Sequence, residues 1–410
     1  MNTKATIKEE MHIIWFDTYT TIDEYMWFPA ANYNGLFRVR KGEYKAELVL
    51  EFEEYSCLAK RLFIACSAVD RKIVLAPGNS KNIVVYNIDT KEIKKFPVVK
   101  CNEKAISSAL FFQSFTYKEK LFLIGSSYPG MIVFDAKKGI EDIIKQPYLD
   151  YSKNTYYKQQ YYRHAYVLRD IFLYLPVIQK NSLMCINLEN RTCSYIDVLP
   201  KGSTAWDCII DEDEIYVWGI DFTIAIFNIK TRTIIYDRIA EKPVDKSGAY
   251  LEKVNSNLYI YLTRKPLILI WNIKNRKLEK TIRYDRKIIK SSHVTYEDMA
   301  GGSPVLSSCI INNKRTIFCS VNNEYLYLDE NQDIHCFKFQ MHNEYIVNKC
   351  ILYQCGFDEH RISKLLGNDT EEAPINIFLS FIQGDALTDD SAKENIAVGR
   401  KIHSAVLQNI

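Results

Sequence analysis

The sequence predicts an all-β chain folded as a seven-bladed β-propeller of four-stranded blades, with a small helical extension at the C-terminal end. Three observations lead there. The 410 residues include 28 Tyr and 20 Phe against 15 Gly, and aromatic side chains favour strands. A strand–loop–strand–turn–strand unit recurs along the chain. Nothing inside those units shows the 3.6-residue period of an amphipathic helix.

The repeat is clearest in KIVLAPGNSKNIVVYNIDTKEIKKF from Lys72, and it returns from Lys120, Ile171, Ile215 and Leu258, with weaker copies from Tyr25 and Thr316. Its aligned turn positions are Arg38, Asn87, Asp135, Asn187, Asn228, Asn272 and Asp329, spaced 49, 48, 52, 41, 44 and 57 residues apart. That spacing matches propeller blades, which repeat every ~40–50 residues. Asn and Asp suit such turns because their short side chains bond backbone amides two residues on and tolerate left-handed dihedrals.

Each unit has a candidate first strand upstream: HIIWFDT (12–18), LFIACSAV (62–69), LFFQSFTY (110–117), YRHAYVL (162–168), WDCIID (206–211), YLEKV (250–254) and SSCII (307–311). Four strands per unit and seven units follow; the end units leave six or eight blades open. Continuous apolar runs such as IVLAP and IFLYL fit strands buried on both faces between neighbouring blades.

Residues 1–356 are assigned to the propeller and 357–410 to a helical extension packed on it. YIVNKCILY, near 345–353, is a candidate extra strand that closes the ring. In the extension, Ser391 and Glu394 form a capping box, and Val398, Ile402, Ala405 and Val406 follow at helical spacing. Packing on the propeller is the first expectation for this amphipathic helix, and partner docking through 391–408 is the second. Residues 146–160 and 285–305 are long linkers between units, the second containing Gly301 and Gly302.

Basic and acidic residues number 53 and 50, a balance that argues against a strongly basic nucleic-acid-binding chain. No apolar run is long enough for a transmembrane helix, and the N-terminal residues do not read as a signal peptide. The eleven scattered Cys argue for reduced, mostly buried thiols and a cytoplasmic location. Cys350 and Cys355, flanked by His342 and His360, are read as incidental thiols in an apolar strand rather than a metal site. No metal and no cofactor is expected.

The strand–loop–strand text, IVVYNIDTKEI and IAIFNIKTRTI above all, resembles the kelch-like and quinoprotein-like β-propeller superfamily. WFPAANYNGLFRV and NIAVGRKIHSAV, which flank the repeats, resemble little-characterised propeller proteins of low-GC Gram-positive bacteria. The paired glycines of kelch repeats, the regular Trp-Asp of WD repeats and a Trp in every blade are missing; Trp206-Asp207 is a lone match. The resemblance implies the fold, and a fold shared by lyases, hydrolases and scaffolds does not set the chemistry.

No phosphate-binding Gly loop and no GxSxG elbow is present. Candidate binding residues sit in loops after each second strand, at the predicted channel mouth: Tyr33, Asn34, Tyr128, Asp221 and Arg264. Arg163 and His164, in the fourth innermost strand, and Trp206 with Asp207, in the fifth, complete the set. No catalytic residue is assigned. This polar, aromatic surface suits a protein, peptide or carbohydrate and not nucleic acid. The leading expectation is therefore a non-enzymatic binding or interaction module. A lyase or hydrolase using His164 and Arg163 beside Asp207 or Asp221, and an accessory subunit docking through its C-terminal helices, are the alternatives.

Overall fold

The computed structural model describes residues 12–52, 61–98, 110–128, 130–144, 165–178, 180–239, 246–284, 305–319, 324–343 and 346–347. They form the seven-bladed β-propeller of four-stranded sheets that the repeat implies. The chain divides into two compact units. One is Met1–Trp15, Asp23–Leu62 and Phe339–Ile410; the other is Phe16–Ile22 and Phe63–Lys338. The helical extension at 357–410, the docking segment 391–408 and the two long linkers lie outside the described residues, apart from 305.

The second unit holds six blades. Blade 2 is β6 (Phe63–Val69), β7 (Lys72–Pro77), β8 (Asn82–Asn87) and β9 (Ile93–Pro97). Blade 3 is β10 (Phe111–Tyr117), β11 (Lys120–Gly125), β12 (Met131–Asp135) and β13 (Gly139–Ile144). Blade 4 is β14 (Val167–Arg169), β15 (Phe172–Pro176), β16 (Ser182–Asn187) and β17 (Cys193–Asp197). Blade 5 is β18 (Ala205–Asp211), β19 (Glu214–Gly219), β20 (Thr223–Asn228) and β21 (Ile234–Arg238). Blade 6 is β22 (Ala249–Val254), β23 (Asn257–Leu262), β24 (Leu267–Asn272) and β25 (Lys277–Arg283). Blade 7 is β26 (Val305–Ile311), β27 (Lys314–Cys319), β28 (Glu324–Leu328) and β29 (Ile334–Phe337). Each blade is an antiparallel meander in sequence order.

The turn residues do what their chemistry requires. Asn87 Oδ1 accepts the amides of Asp89 and Thr90, Asp135 those of Lys137 and Lys138, Asn187 those of Glu189 and Asn190, and Asn228 those of Lys230 and Thr231. Four residues after the Asn or Asp, the chain turns left-handed at Lys91, Gly139, Arg191, Arg232 and Arg276, with φ between 53° and 95°. At Gly139 the left-handed φ of 95° coincides with a close approach: a Cβ there would lie 2.6 Å from the Phe96 ring. Arg38 breaks this pattern. It lies inside a strand, paired with Glu47 at 2.8 Å and stacked over Tyr25, and the hairpin turns instead at Gly42 (φ 86°).

The second and third strands of each blade are the most buried, as in β7, β12, β16 and β20, and the fourth strands are largely exposed, as in β9 and β25. Neighbouring blades share apolar layers. Ile124, Met131 and Val133 of blade 3 meet Leu173, Leu175 and Met184 of blade 4, and Trp218 and Ile224 of blade 5 meet Leu251 and Ile260 of blade 6. The innermost strands are buried only over their first halves (β6 and β18). They have no strand on their axial side, so their second halves face open space.

The first unit holds blade 1: β3 (Tyr25–Pro29), β4 (Gly35–Arg40) and β5 (Lys45–Glu51), extended by β30 (Phe339–Met341) and β1 (Ile13–Ile14) in the order β1-β30-β5-β4-β3. β30 runs parallel to β5, and β1 antiparallel to β30. This corrects the expectation that HIIWFDT is one innermost strand: its start pairs on β30, and its end belongs to the second unit. In that unit, β2 (Thr20–Ile22) and the residues before it join blade 7 to blade 2. Phe16 donates its N–H to the Tyr325 hydroxyl (2.8 Å) and accepts the Ser307 hydroxyl (2.9 Å). Thr18 donates to Ile64 O (2.6 Å) and accepts the Cys66 amide (2.9 Å).

Among the described residues, no helix is long and apolar enough to cross a membrane. Cys66, Cys185, Cys208, Cys309 and Cys319 are buried.

Candidate functional site

Seven of the nine candidate residues lie among the described residues. Tyr33, Asn34, Tyr128 and Trp206 are buried, so the first three contribute little side-chain surface to the loops that carry them. Asp221 is half-buried; its carboxylate accepts the Ser203 and Thr223 hydroxyls and stabilises its own turn. Arg264 is exposed. Arg163 and His164 lie outside the described residues. Of the described candidates, Asp207 lines a cavity of the second unit.

That cavity, of about 570 Å³, follows the innermost strands. It is lined by Thr18–Thr21 and Asp17, Gln113 of β10, Ala165–Leu168, Asp207–Ile210 of β18, Ser308–Ile310 of β26, and Arg315 of β27. Most of these residues belong to the strand halves next to the hairpins joining first and second strands, where Ile210 pairs with Ile215 and Ile310 with Arg315. Among the described residues of the second unit, the loops after the second strands, where the sequence suggested a mouth, contribute none to its lining. Its volume lies within the ~300–1,000 Å³ range of small-ligand sites.

A β-bulge helps form the polar wall. In blades 2, 3, 5 and 7 the pairing of first and second strands slips after the first residue. A bulge leaves one residue unpaired and re-aims its neighbours. In blade 5 the slipped residue is Trp206, whose buried ring covers Gly248: a Cβ on Gly248 would lie 2.1 Å from it. The residue after the slip is Ala65, Gln113, Asp207 or Ser307, and of these Gln113 and Asp207 line the cavity.

Asp207 is 3% exposed. Its Oδ1 accepts the Cys208 amide and its Oδ2 the Leu251 amide, both at 2.8 Å. Arg315 reaches the same residue from the other side, donating Nε (3.1 Å) and a terminal nitrogen (2.8 Å) to Leu251 O and its other terminal nitrogen to Ser308 Oγ (3.2 Å). Strand β22 is the end strand of its sheet. Side chains from blades 5 and 7 thus satisfy edge groups that no strand covers. Glu252 accepts the Arg315 amide and the Tyr261 hydroxyl.

Burial pushes the Asp207 carboxyl up to about 6, against the lowering pull of Arg315 and the two amides. Burial also raises Tyr19, to about 12, Cys309, to about 12, and Cys208, so these groups stay neutral at physiological pH. Among the described residues no group of His, Cys, Asp and Glu is arranged to hold a metal ion; Cys350, Cys355 and His360 lie outside them.

Arg315 was missed from the sequence, and cross-strand register shows the signal that would have found it. The equivalent position, second after the first hairpin, is Ile73, Leu121, Leu173, Ile215 and Leu258 in the other five blades. A lone Arg in an otherwise apolar repeat column marks a local departure from packing.

No protein-family model matches the chain, and no curated protein matches it in sequence. Solved structures do. A catalytically inactive variant of virginiamycin B lyase from Staphylococcus aureus, determined with quinupristin, aligns over 82% of this chain and 96% of its own, with TM-score 0.53 and 10% identity. KlHsv2 with a loop replaced by a Gly-Ser linker covers 80% and 97%, with TM-score 0.49 and 8% identity. BamB from Moraxella catarrhalis covers 80% and 83%, with TM-score 0.46 and 10% identity. The likeness is one of fold. It supports a distant β-propeller architecture and does not single out the propeller proteins of Gram-positive bacteria.

Proposed function

We propose that the protein is a non-enzymatic binding module that takes a short peptide or carbohydrate in the axial cavity of its second unit. The observation that carries this reading is the cavity wall. Thr18, Tyr19, Thr20, Thr21, Ser308 and Gln113 supply neutral donors and acceptors, and Ile209, Ile210 and Ile310 supply apolar contact. Such a wall recognises hydrogen-bonding ligands by shape. Asp207, whose carboxyl burial raises to about 6, has both oxygens engaged by backbone amides, which favours a structural and recognition role over proton shuttling. The resemblance to Gram-positive propeller proteins, and docking through 391–408, remain expectations from the sequence.

The test is binding of the full chain to peptide and glycan arrays, repeated with Ile310→Trp, which fills the cavity from a residue 43% exposed. Binding lost in the variant supports the reading. Unchanged binding moves the site elsewhere.

One observation favours a lyase or hydrolase reading: a carboxyl raised to about 6 is poised for acid–base work. That reading requires Arg163 and His164 to act with Asp207. Loss of a measured turnover in both Arg163→Ala and His164→Ala, with folding intact, would support it over the binding reading.

A further inference from the structure

We infer that the outer edge of blade 6, strand β25, takes an extended segment of a partner protein whose residues alternate between apolar and acidic. This surface is separate from the axial cavity, and the inference does not rest on the reading of that cavity.

β25 ends its sheet, and among the described residues no strand pairs on its outer side. At 7 residues it is the longest outer strand described in the second unit, and Lys277–Thr281 are exposed. Tyr284 donates its N–H to Pro266 O. Bonded and unbonded pairs alternate along an antiparallel ladder, so Ile282 also bonds toward β24, and the N–H and C=O of Thr281 point outward. The outer edge of β21 in blade 5 differs. There Arg276 donates to Tyr236 O at 3.3 Å and forks onto Asp237, so a neighbouring blade already caps it. An open ladder edge accepts a further strand, with main-chain bonds for affinity and alternate side chains for selection.

The two faces of β25 differ in chemistry. Residues directly opposite each other in a ladder share a face. Leu278 stands opposite Trp271 and Thr281 opposite Leu269, and Trp271 and Leu269 belong to the apolar layer shared with blade 5. Leu278 prolongs that layer outward and is 41% exposed. Lys280 stands opposite Ile270 and Lys277 opposite Asn272, and Ile270 belongs to the layer shared with blade 7. Neither lysine forms an ion pair among the described residues; Lys280 donates to the neutral Gln332 side chain at 2.8 Å. Along the strand Lys277, Lys280 and Arg283 stand against the single carboxylate of Glu279. An added strand sets alternate side chains beside these two faces, so its complement is an apolar row beside Leu278 and an acidic row beside Lys280. A second copy of β25 does not fit. Antiparallel self-pairing centred on Lys280 opposes Lys280 to itself and Lys277 to Arg283, and like charges directly opposite destabilise.

The experiment is fluorescence anisotropy of labelled, end-capped peptides titrated with the full chain at low ionic strength. The probes are a peptide of alternating Val and Glu, one of alternating Val and Lys, and one with the same Val and Glu content in two blocks. The alternating Val-Glu peptide is expected to bind at least about tenfold more tightly than either control, and to weaken as salt rises. Lys280→Glu is expected to lower its affinity about tenfold by placing like charges together, and Lys94→Glu, on the outer edge of blade 2, to leave it unchanged. Thr281→Pro removes an N–H that serves no ladder bond and is expected to abolish strand addition. Should that variant fail to fold, Lys280→Glu against Lys94→Glu decides. Equal binding of the three peptides, no binding, or binding indifferent to Lys280→Glu or to folded Thr281→Pro overturns the inference. Self-association in sedimentation velocity that Thr281→Pro or Lys280→Glu abolishes overturns it in favour of a second copy on this edge.

Discussion

The Asp207 carboxylate of blade 5 accepts the backbone N–H of Leu251 in blade 6 at 2.8 Å, while Arg315 of blade 7 holds the Leu251 carbonyl at 2.8 Å. One peptide edge on the axis is thus gripped from both neighbouring blades. Because Asp207 is buried, its carboxyl sits at about 6 in the folded chain, above the ordinary aspartate value of 3.8. The folded state therefore holds the proton more tightly than the unfolded one. The stability this group contributes is fully present below about pH 4 and is lost as pH rises through about 6, a loss on the order of 3 kcal/mol. Urea unfolding from pH 4 to 7.5, wild type against Asp207→Asn, is expected to show a pH-dependent difference confined to that window. A difference independent of pH would refute the assignment.

Thr18 joins two parts of the second unit through a single hydroxyl, donating to Ile64 O and accepting from the Cys66 amide. Thr18→Val keeps the shape and removes both bonds. It is expected to cost about 1–3 kcal/mol, because each net bond is worth about 1 kcal/mol and a carbonyl and an amide lose their partner. Tyr325→Phe, on the blade 7 side of the same segment, should cost a similar amount by removing the acceptor for the Phe16 amide. Equilibrium unfolding measures both, and a cost below about 0.3 kcal/mol for each would show that the segment does not hold the unit together.

Gly248 is fixed by packing rather than by dihedral. Its position under the Trp206 ring leaves no room for a methyl, since the Cβ would lie 2.1 Å from a ring carbon. Gly248→Ala must displace Trp206 or the start of β22, at a cost of about 1–3 kcal/mol by the usual overpacking range. Adding Trp206→Leu, which clears the ring, should recover part of that loss. A double variant no more stable than additivity predicts would argue against the steric account.

The architecture was legible because it repeats. Asn87, Asn187 and Asn228 use the same side-chain oxygen for the same turn, so six of the seven copies reinforced one reading. The cavity was not legible because it is made where the repeat is broken. Arg315 replaces an apolar residue, Asp207 follows a bulge, and Thr18 ends a segment read as one strand, with Tyr19 just beyond it. Asp207 was singled out as an acid near a predicted inner-strand His. The loop residues Tyr33 and Tyr128 turn their rings inward, against Phe37 and Phe111, and a position in a loop does not reveal that burial. The single aberrant copy, Arg38, misled the turn alignment because blade 1 is built from both ends of the propeller sequence.

Arg315 is the residue whose replacement separates packing from electrostatics. Five other blades carry Ile or Leu at its position, so Arg315→Leu suits the apolar face of β27. It removes the donors to Leu251 O and the Ser308 hydroxyl, however, and the carbonyl it leaves is on a strand edge with no other strand to receive it. A loss of about 1–3 kcal/mol is expected from that carbonyl. The same change removes the main charge lowering the Asp207 carboxyl, so Asp207 should titrate above 6 in the variant. Arg315→Lys keeps the charge without the fork, so it should preserve most of the titration point while losing part of the stability. Carbon-13 NMR of the Asp207 carboxyl across pH 4–8 reads the first effect, and urea unfolding the second. If Arg315→Leu leaves the titration where it is in the wild type, the guanidinium is not what offsets the burial of Asp207.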